Sequence, residues 1–351
     1  MIAVIMAGGA GTRFWPASRA ALPKQFLPVL GDKSMIRLTF DRLTPLISPD
    51  SIFVVTAASQ AELVKEHLPE MPVQNIIIEP FGMNTAPCIA LSVAYLARGH
   101  SMDETMLVLP ADHFIQDTAA FLASLNLADQ VAKSGSLVTF GIIPTYPATG
   151  YGYIEASDPI SEGVLCVNRF KEKPDYDTAT FFLSQGNFFW NSGMFAWTLA
   201  TISQSFETHL PKALEVAKQV CAMLDAGTDA SQVNAAYATM PRVPIDIGVM
   251  EPATNRAVIP VNYGWSDVGG WKALADLSPS DMAGNRFPAG GMAIDAANNY
   301  AFTDKFIAFI GVNDLCVIET PDAILVTPKD RGEEVKAVVD ELKKQNKDVL
   351  L

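Results

Sequence analysis

Residues 2–6, Ile-Ala-Val-Ile-Met, form an unbroken apolar run that passes into Gly8-Gly9-Ala10-Gly11. A strand without polar alternation has to be buried on both faces, as a central strand of a helix-covered parallel sheet is. The pattern then repeats along the chain. Helical spacing over 34–43 precedes Ile52-Phe53-Val54-Val55, and a helical stretch over 61–67 precedes an apolar run over 75–79. A strongly apolar helix follows from Ile89 to Leu96, which Asn84 or Thr85 can cap and whose first turn suits Pro87. The next strand covers 105–109. Such alternation predicts an α/β fold with a mostly parallel sheet, in which ligands bind at the carboxyl ends of strands. The glycine turn and Asp112 both fall at such ends.

The style changes further on. Residues 136–173 are richer in strand patterns, and 201–224 read as helical. Beyond about residue 280, short apolar runs separated by Asn, Asp and Gly predict a small β domain. Asp330 and Glu333 have the spacing of a capping box for a last helix whose apolar face is Val335, Val338, Val339 and Leu342. The expected division is therefore 1–280 and 281–351, the latter a small β domain with a terminal helix.

Charge and cysteine usage narrow the partners. With 25 basic and 38 acidic residues the formal charge is −13, which disfavours nucleic acid or an anionic membrane as the main partner. A small anion needs only local cations, backbone N–H groups or a metal. The four cysteines form no C-x-x-C pair, so free thiols in a reducing compartment are expected. No signal-peptide pattern opens the chain, and the longest apolar stretch falls short of the roughly 20 residues that span a bilayer. A cytoplasmic protein is the expectation.

Several motifs carry chemistry. Gly8-Gly9-Ala10-Gly11-Thr12-Arg13, with Pro23-Lys24-Gln25-Phe26 after it, can bring backbone N–H groups close to phosphates, with Arg13 and Lys24 neutralising their charge. It is neither a Walker A loop nor a dinucleotide fingerprint, since Phe14 stands where the third glycine belongs. Asp112 at a strand end and Asp267 in Gly264-Trp265-Ser266-Asp267-Val268-Gly269 are hard oxygen ligands of the kind Mg²⁺ takes. Taken singly, a lone aspartate such as Asp112 is more often a helix cap or loop residue, and G-x-S-D is a common turn composition. Val268 excludes the G-x-S-x-G elbow of serine hydrolases. Glu172 and Asn191 are side chains that hydrogen-bond sugar hydroxyls, and Lys173 can meet a second phosphate. Glu79-Pro80-Phe81-Gly82-Met83-Asn84-Thr85 lies between a strand and a helix, where it can read a base.

In their order and content, MAGGAGTRFWPASR, PKQF, EPFGMNTAP, LPADHFI, TGYGYIE, FKEKPD, WNSGMF, IDIGVME and GWSDVGGW resemble the mannose-1-phosphate guanylyltransferase family of sugar nucleotidyltransferases. The resemblance implies a Rossmann-like nucleotidyltransferase domain followed by a small C-terminal domain of left-handed β-helix type. It implies transfer of GMP from GTP to α-D-mannose 1-phosphate with Mg²⁺, by a homodimer. Gly8, Gly9, Gly11, Thr12 and Arg13 would cradle the GTP phosphates, with Lys24 on the α-phosphate and Glu79, Asn84 and Thr85 beside guanine. Asp112 and Asp267 would hold the metal. Gly150, Glu172 and Asn191 would contact the sugar and Lys173 its phosphate. Family members commonly carry Arg at Met83 and Lys at Pro252. Some also carry an isomerase cupin, an activity not expected here because no histidine follows Trp271. Two alternatives stay open: another sugar or base, and a catalytically silent, nucleotide-sugar-sensing regulatory subunit. The retention of both aspartates and of Arg13, Lys24 and Lys173 speaks against the latter.

Overall fold

A computed structural model describes residues 1–9, 11–171 and 173–351. In chain order its first elements are β1 (Ile2–Ala7), α1 (Met35–Leu43), β2 (Ile52–Ala57), α2 (Ala61–His67), β3 (Ile76–Glu79), α3 (Thr85–Leu96), β4 (Thr105–Pro110) and β5 (Phe114–Ile115). Then come α4 (Thr118–Lys133), β6 (Leu137–Ile142), β7 (Tyr153–Ser161), β8 (Val164–Lys171), α5 (Tyr176–Gln185), β9 (Phe188–Thr198), α6 (Leu199–His209), α7 (Pro211–Asp225) and α8 (Ala230–Tyr237). The rest are β10 (Arg256–Val261), β11 (Trp265–Ser266), α9 (Trp271–Leu277), β12 (Gly291–Ile294), β13 (Tyr300–Phe302), β14 (Ile307–Ile310), β15 (Leu315–Glu319), β16 (Ile324–Pro328) and α10 (Val335–Lys344).

Two compact units emerge. The first gathers Met1–Gly8, Phe40–Pro110 and Ile115–Trp265; the second gathers Gly9–Thr39, Ala111–Phe114 and Ser266–Leu351. In the first unit a nine-stranded sheet runs β3-β2-β1-β4-β9-β6-β10-β8-β7. Strands β1 to β4 pair in parallel, as the alternating pattern requires. β9 then enters antiparallel to both β4 and β6, so the sheet is mixed. Its core joins Ile2, Val4 and Val108 of the strands to Ile89, Leu91 and Val93 of α3 and to Phe206 and Val220 of α6 and α7. Each such aliphatic side chain taken fully from water stabilises the fold by roughly 1.5–3 kcal/mol.

The helical stretch expected over 201–224 is two helices. Leu210 (φ −145°) separates α6 from α7, and Pro211 occupies the first position of α7. Proline has no N–H to continue the preceding ladder but suits a helix start.

The second unit contains the small β module. β12 pairs with β14 and β13 with β15, both parallel, and β16 closes antiparallel on β15. Two fully buried asparagines link successive coils. Asn285 donates to Ala296 O (2.9 Å) and accepts from Asn299 N; Asn299 donates to Val312 O (2.9 Å) and accepts from Leu315 N. Every polar atom of these buried amides has a partner, as burial demands.

Val335, Val339 and Leu342 of α10 are buried with Phe14, Trp15 and Trp271, and Trp271 Nε1 donates to Trp15 O at 3.0 Å. The expected capping box does not form. Residues Lys329–Glu334 wind as a 3-10 stretch, so Asp330 lies inside it and α10 starts after Glu334 without a side-chain cap. Glu333 is turned to Arg13 instead.

Candidate active site

The glycine loop, which passes into the second unit at Gly9, is shaped for close approach. Gly9 and Gly11 have φ of +94° and +58°. A Cβ on Gly11 would stand 2.3 Å from Lys24 Cβ, so this position has room for glycine alone. A Cβ on Gly8 or Gly9 would meet nothing within 4 Å, so these glycines face open space. Ser18 Oγ anchors the loop by donating to Gly11 O at 2.7 Å, and Thr12 and Arg13 follow in a 3-10 turn.

Lys24 is 6% exposed, an unusual place for an ammonium group unless it is paired. Its Nζ lies 2.8 Å from Asp112 Oδ2 and donates to the Asp267 carbonyl at 3.0 Å. It also stands 5.3 Å from the centre of the Phe14 ring. One cation therefore links the glycine loop to both aspartates that the sequence singles out. Burial alone would raise the Asp112 carboxyl; the charges of Lys24 and His113 and the hydrogen bond from Lys24 hold it below the ordinary carboxylate value.

The Asp267 turn carries strain. Val268 is buried with φ of +45°, a conformation costly for a β-branched residue. The Asp267 carboxylate accepts from Gly269 N at 3.1 Å, and the Ser266 hydroxyl accepts from Val268 N. These bonds fix the direction of the aspartate. Arg13 is half exposed, its Nε 2.8 Å from Glu333 Oε2. Among the described residues no cluster of three or more His, Cys, Asp or Glu is placed to hold a metal. Lys24 meets the carboxylate of Asp112 and the main-chain carbonyl of Asp267.

The first unit contains the remaining predicted residues. Glu79 is 5% exposed at the end of β3 and accepts from Tyr237 Oη at 2.5 Å. Burial pushes its carboxyl up, against the hydrogen bonds from Tyr237 and the Met83 N–H. Burial and the neighbouring Glu79 push the Tyr237 phenol far up, so it remains a donor. Asn84 caps α3 by accepting from Thr85 N, and Thr85 Oγ1 accepts from Ile245 N at 2.8 Å. Met83 packs on the core, and its carbonyl accepts from Arg242 Nε; Pro252 is exposed. Gly150 has open space where a side chain would be, and Lys173 is exposed. Glu172 lies outside the described residues.

Asn191 on β9 donates from Nδ2 to Asp246 Oδ1 at 2.7 Å and accepts from Gly193 N at 3.1 Å. These two bonds fix which way the amide faces. Asp246 opens a five-residue π-helical turn, a feature that frequently marks functional sites. Sequence reasoning gives Asp246 and Glu333 no role in the site. The motif IDIGVME is the only signal for Asp246, and the turn around Glu333 reads as a helix cap.

Comparison with known proteins completes the picture. A nucleotidyl transferase family model matches residues 2–283, and a MannoseP isomerase/GMP-like beta-helix domain model matches 291–342. A mannose-1-phosphate guanylyltransferase of Salmonella muenchen is 42% identical over 353 residues, covering 99% of this chain and 74% of that protein. The xanthan biosynthesis protein XanB of Xanthomonas campestris pv. campestris (strain ATCC 33913) is 39% identical over 346 residues, covering 98% and 73%. The crystal structure of a protein named mannose-1-phosphate geranyltransferase, from Thermus thermophilus, is 34% identical with a TM-score of 0.88, covering 97% of this chain and 99% of that one. This chain thus spans about three quarters of the length of the two relatives compared by sequence. The glycine loop, the Lys24-linked aspartates and these matches together show that the chain belongs to the mannose-1-phosphate guanylyltransferase family of nucleotidyltransferases.

Proposed function

We propose that this enzyme transfers GMP from GTP to α-D-mannose 1-phosphate, giving GDP-mannose and pyrophosphate, as a cytoplasmic homodimer. The observation that carries the reading is the buried Lys24 ammonium joined to the Asp112 carboxylate and the Asp267 carbonyl next to Gly11. Nucleotidyl transfer from a sugar phosphate needs no strong base, because the attacking oxygen is already ionised. It needs two repelling polyanions aligned and the charge on the α-phosphoryl group stabilised.

The residues suit that task. Gly8, Gly9, Gly11 and Thr12 offer backbone N–H groups to the triphosphate, with Arg13 and Lys24 neutralising its charge. The donor set also fits magnesium: the Asp112 carboxylate, paired with Lys24, and the carboxylate of Asp267, whose main-chain carbonyl the same Lys24 holds, are hard oxygen donors that would leave the remaining positions to phosphate oxygens. Asp112 and Asp267 would hold Mg²⁺, which when bound would supply charge neutralisation at the phosphates. Lys24 orders both aspartate segments and then stabilises the transferring phosphoryl group. Asn84 and Thr85 set the base-side loop, and Glu79 braces it through Tyr237 and the Met83 N–H. Asn191, fixed by Asp246, presents one donor and one acceptor to sugar hydroxyls, with Gly150 and Glu172 as further sugar contacts and Lys173 on the sugar phosphate.

The test is pyrophosphate release with Mg²⁺, mannose 1-phosphate and each of the four NTPs in turn. Release with GTP well above the others, dependent on the sugar phosphate, is expected. A preference for another NTP would keep the reaction class and discard the substrate.

A further inference from the structure

Both cations of the glycine loop already carry an anion. Lys24 is paired with Asp112, and Arg13 with Glu333, within the second unit. Lys24 is buried with Asp112 partly so, whereas the Arg13 pair is open: its two side chains are 47% and 69% exposed. Glu333 is nonetheless presented from a fixed platform. Gly332 and Val335 on either side of the 3-10 stretch's end are buried, and Lys329 N donates to Asp314 O at 2.8 Å. Within the stretch, Arg331 is bonded to Glu334 through Nε and Nη2, at 2.7 and 2.5 Å. The stretch's own arginine is thereby engaged, while Glu333 faces Arg13.

An exposed ion pair contributes little to stability, so it exchanges readily. Phosphate oxygens are stronger partners for a guanidinium group, which can meet them in bidentate fashion. Conversely, a fixed carboxylate on Arg13 repels an arriving polyphosphate and competes with it for the guanidinium.

We propose that Glu333 is a resident counter-ion that Arg13 exchanges for the polyphosphate of an incoming nucleotide. The C-terminal stretch thereby lowers the affinity of the glycine loop for a polyphosphate and eases release of the pyrophosphate product. This rests on the glycine loop being the polyphosphate site, but not on which base or sugar the enzyme takes.

The experiment is calorimetric titration of the full chain with inorganic tripolyphosphate at fixed Mg²⁺. Glu333→Gln and Glu333→Ala are both expected to bind about two- to fivefold more tightly than the parent at low ionic strength. The ratio should approach one near 1 M salt, where screening is short-ranged. In an Arg13→Ala background the gain should vanish. Weaker binding by Glu333→Ala with Glu333→Gln unchanged would make Glu333 an orienting group and overturn the proposal. So would an equal gain without the Arg13 guanidinium, or no tripolyphosphate binding by the parent chain. A different NTP or sugar in the pyrophosphate-release assay would overturn the substrate reading and leave the titration pattern intact.

Discussion

Glu79 closes β3 and Asp112 follows β4 by two residues, yet the two carboxyls behave in opposite ways. Among the described residues Glu79 meets neutral donors, the Tyr237 hydroxyl and the Met83 N–H, and burial drives it up. Asp112 meets Lys24 and His113, and their charge outweighs burial and drives it down. A strand end thus supplies a location, and the neighbouring charge decides whether the carboxylate is a brace or an ion holder. The same contrast runs through the predicted site residues. Asn84, Thr85 and Asn191 in the first unit bond to backbone N–H groups or to a side chain of their own unit that fixes their direction, whereas Lys24 and Arg13 in the second form ion pairs.

The largest test of that contrast is Lys24→Met. It removes the charge from between the aspartates and is expected to lower kcat by about a hundred- to a thousandfold in pyrophosphate release. Asp267→Asn should likewise largely abolish turnover with the circular dichroism spectrum unchanged; near-normal activity in either variant breaks the assignment of charge handling to this unit. Next in size, Lys173→Ala should raise the KM for the sugar phosphate more than that for GTP. The loss of one charge-assisted hydrogen bond corresponds to about 1.5–3 kcal/mol, or roughly tenfold or more. The reverse order would move Lys173 out of the sugar-phosphate site.

The two carboxyls also predict opposed pH dependences. The depressed Asp112 contributes stability that is complete above its ordinary value of 3.8 and is lost as pH falls through its lower folded value. The gap in urea midpoint between the parent and Asp112→Asn should therefore narrow in acid; a gap constant from pH 6 to pH 2.5 would sink the charge argument. The raised Glu79 has the opposite sign: its contribution is complete below its ordinary value of 4.5 and is lost as pH rises through its higher folded value. Glu79→Gln keeps an acceptor for Tyr237 without the buried charge. The smallest effect is accordingly a variant as stable as the parent at pH 4 and equal or better by up to about 1 kcal/mol at pH 8. Marked destabilisation at pH 8 would show that the ionised form is required.

Local chemistry was the most readable part of this chain. Apolar runs mark β1 to β4, and the side chain of Asn84 caps α3 as its type suggests. The break before Pro211 was open to the same reasoning, since proline cannot continue a helix. Asp330 and Glu333 misled because capping spacing describes a helix start, whereas here a 3-10 stretch carries Glu333 to a partner near the other end of the sequence. The antiparallel entry of β9 and the Asn191–Asp246 bond were illegible for a related reason. Each depends on which distant segments meet, and side-chain periodicity carries no information about that.

The buried asparagines of the β module have a consequence for how its length can change. Asn285 bonds the chain 11 and 14 residues ahead, and Asn299 bonds it 13 and 16 ahead. The two coils differ in circumference, but the bonded pair is spaced alike in both, a carbonyl at Ala296 or Val312 and an N–H at Asn299 or Leu315. Residues can be added elsewhere around a coil without disturbing this pair. One residue added between its members would strand buried amide groups at about 1–3 kcal/mol each. The module is elastic in perimeter and rigid in phase.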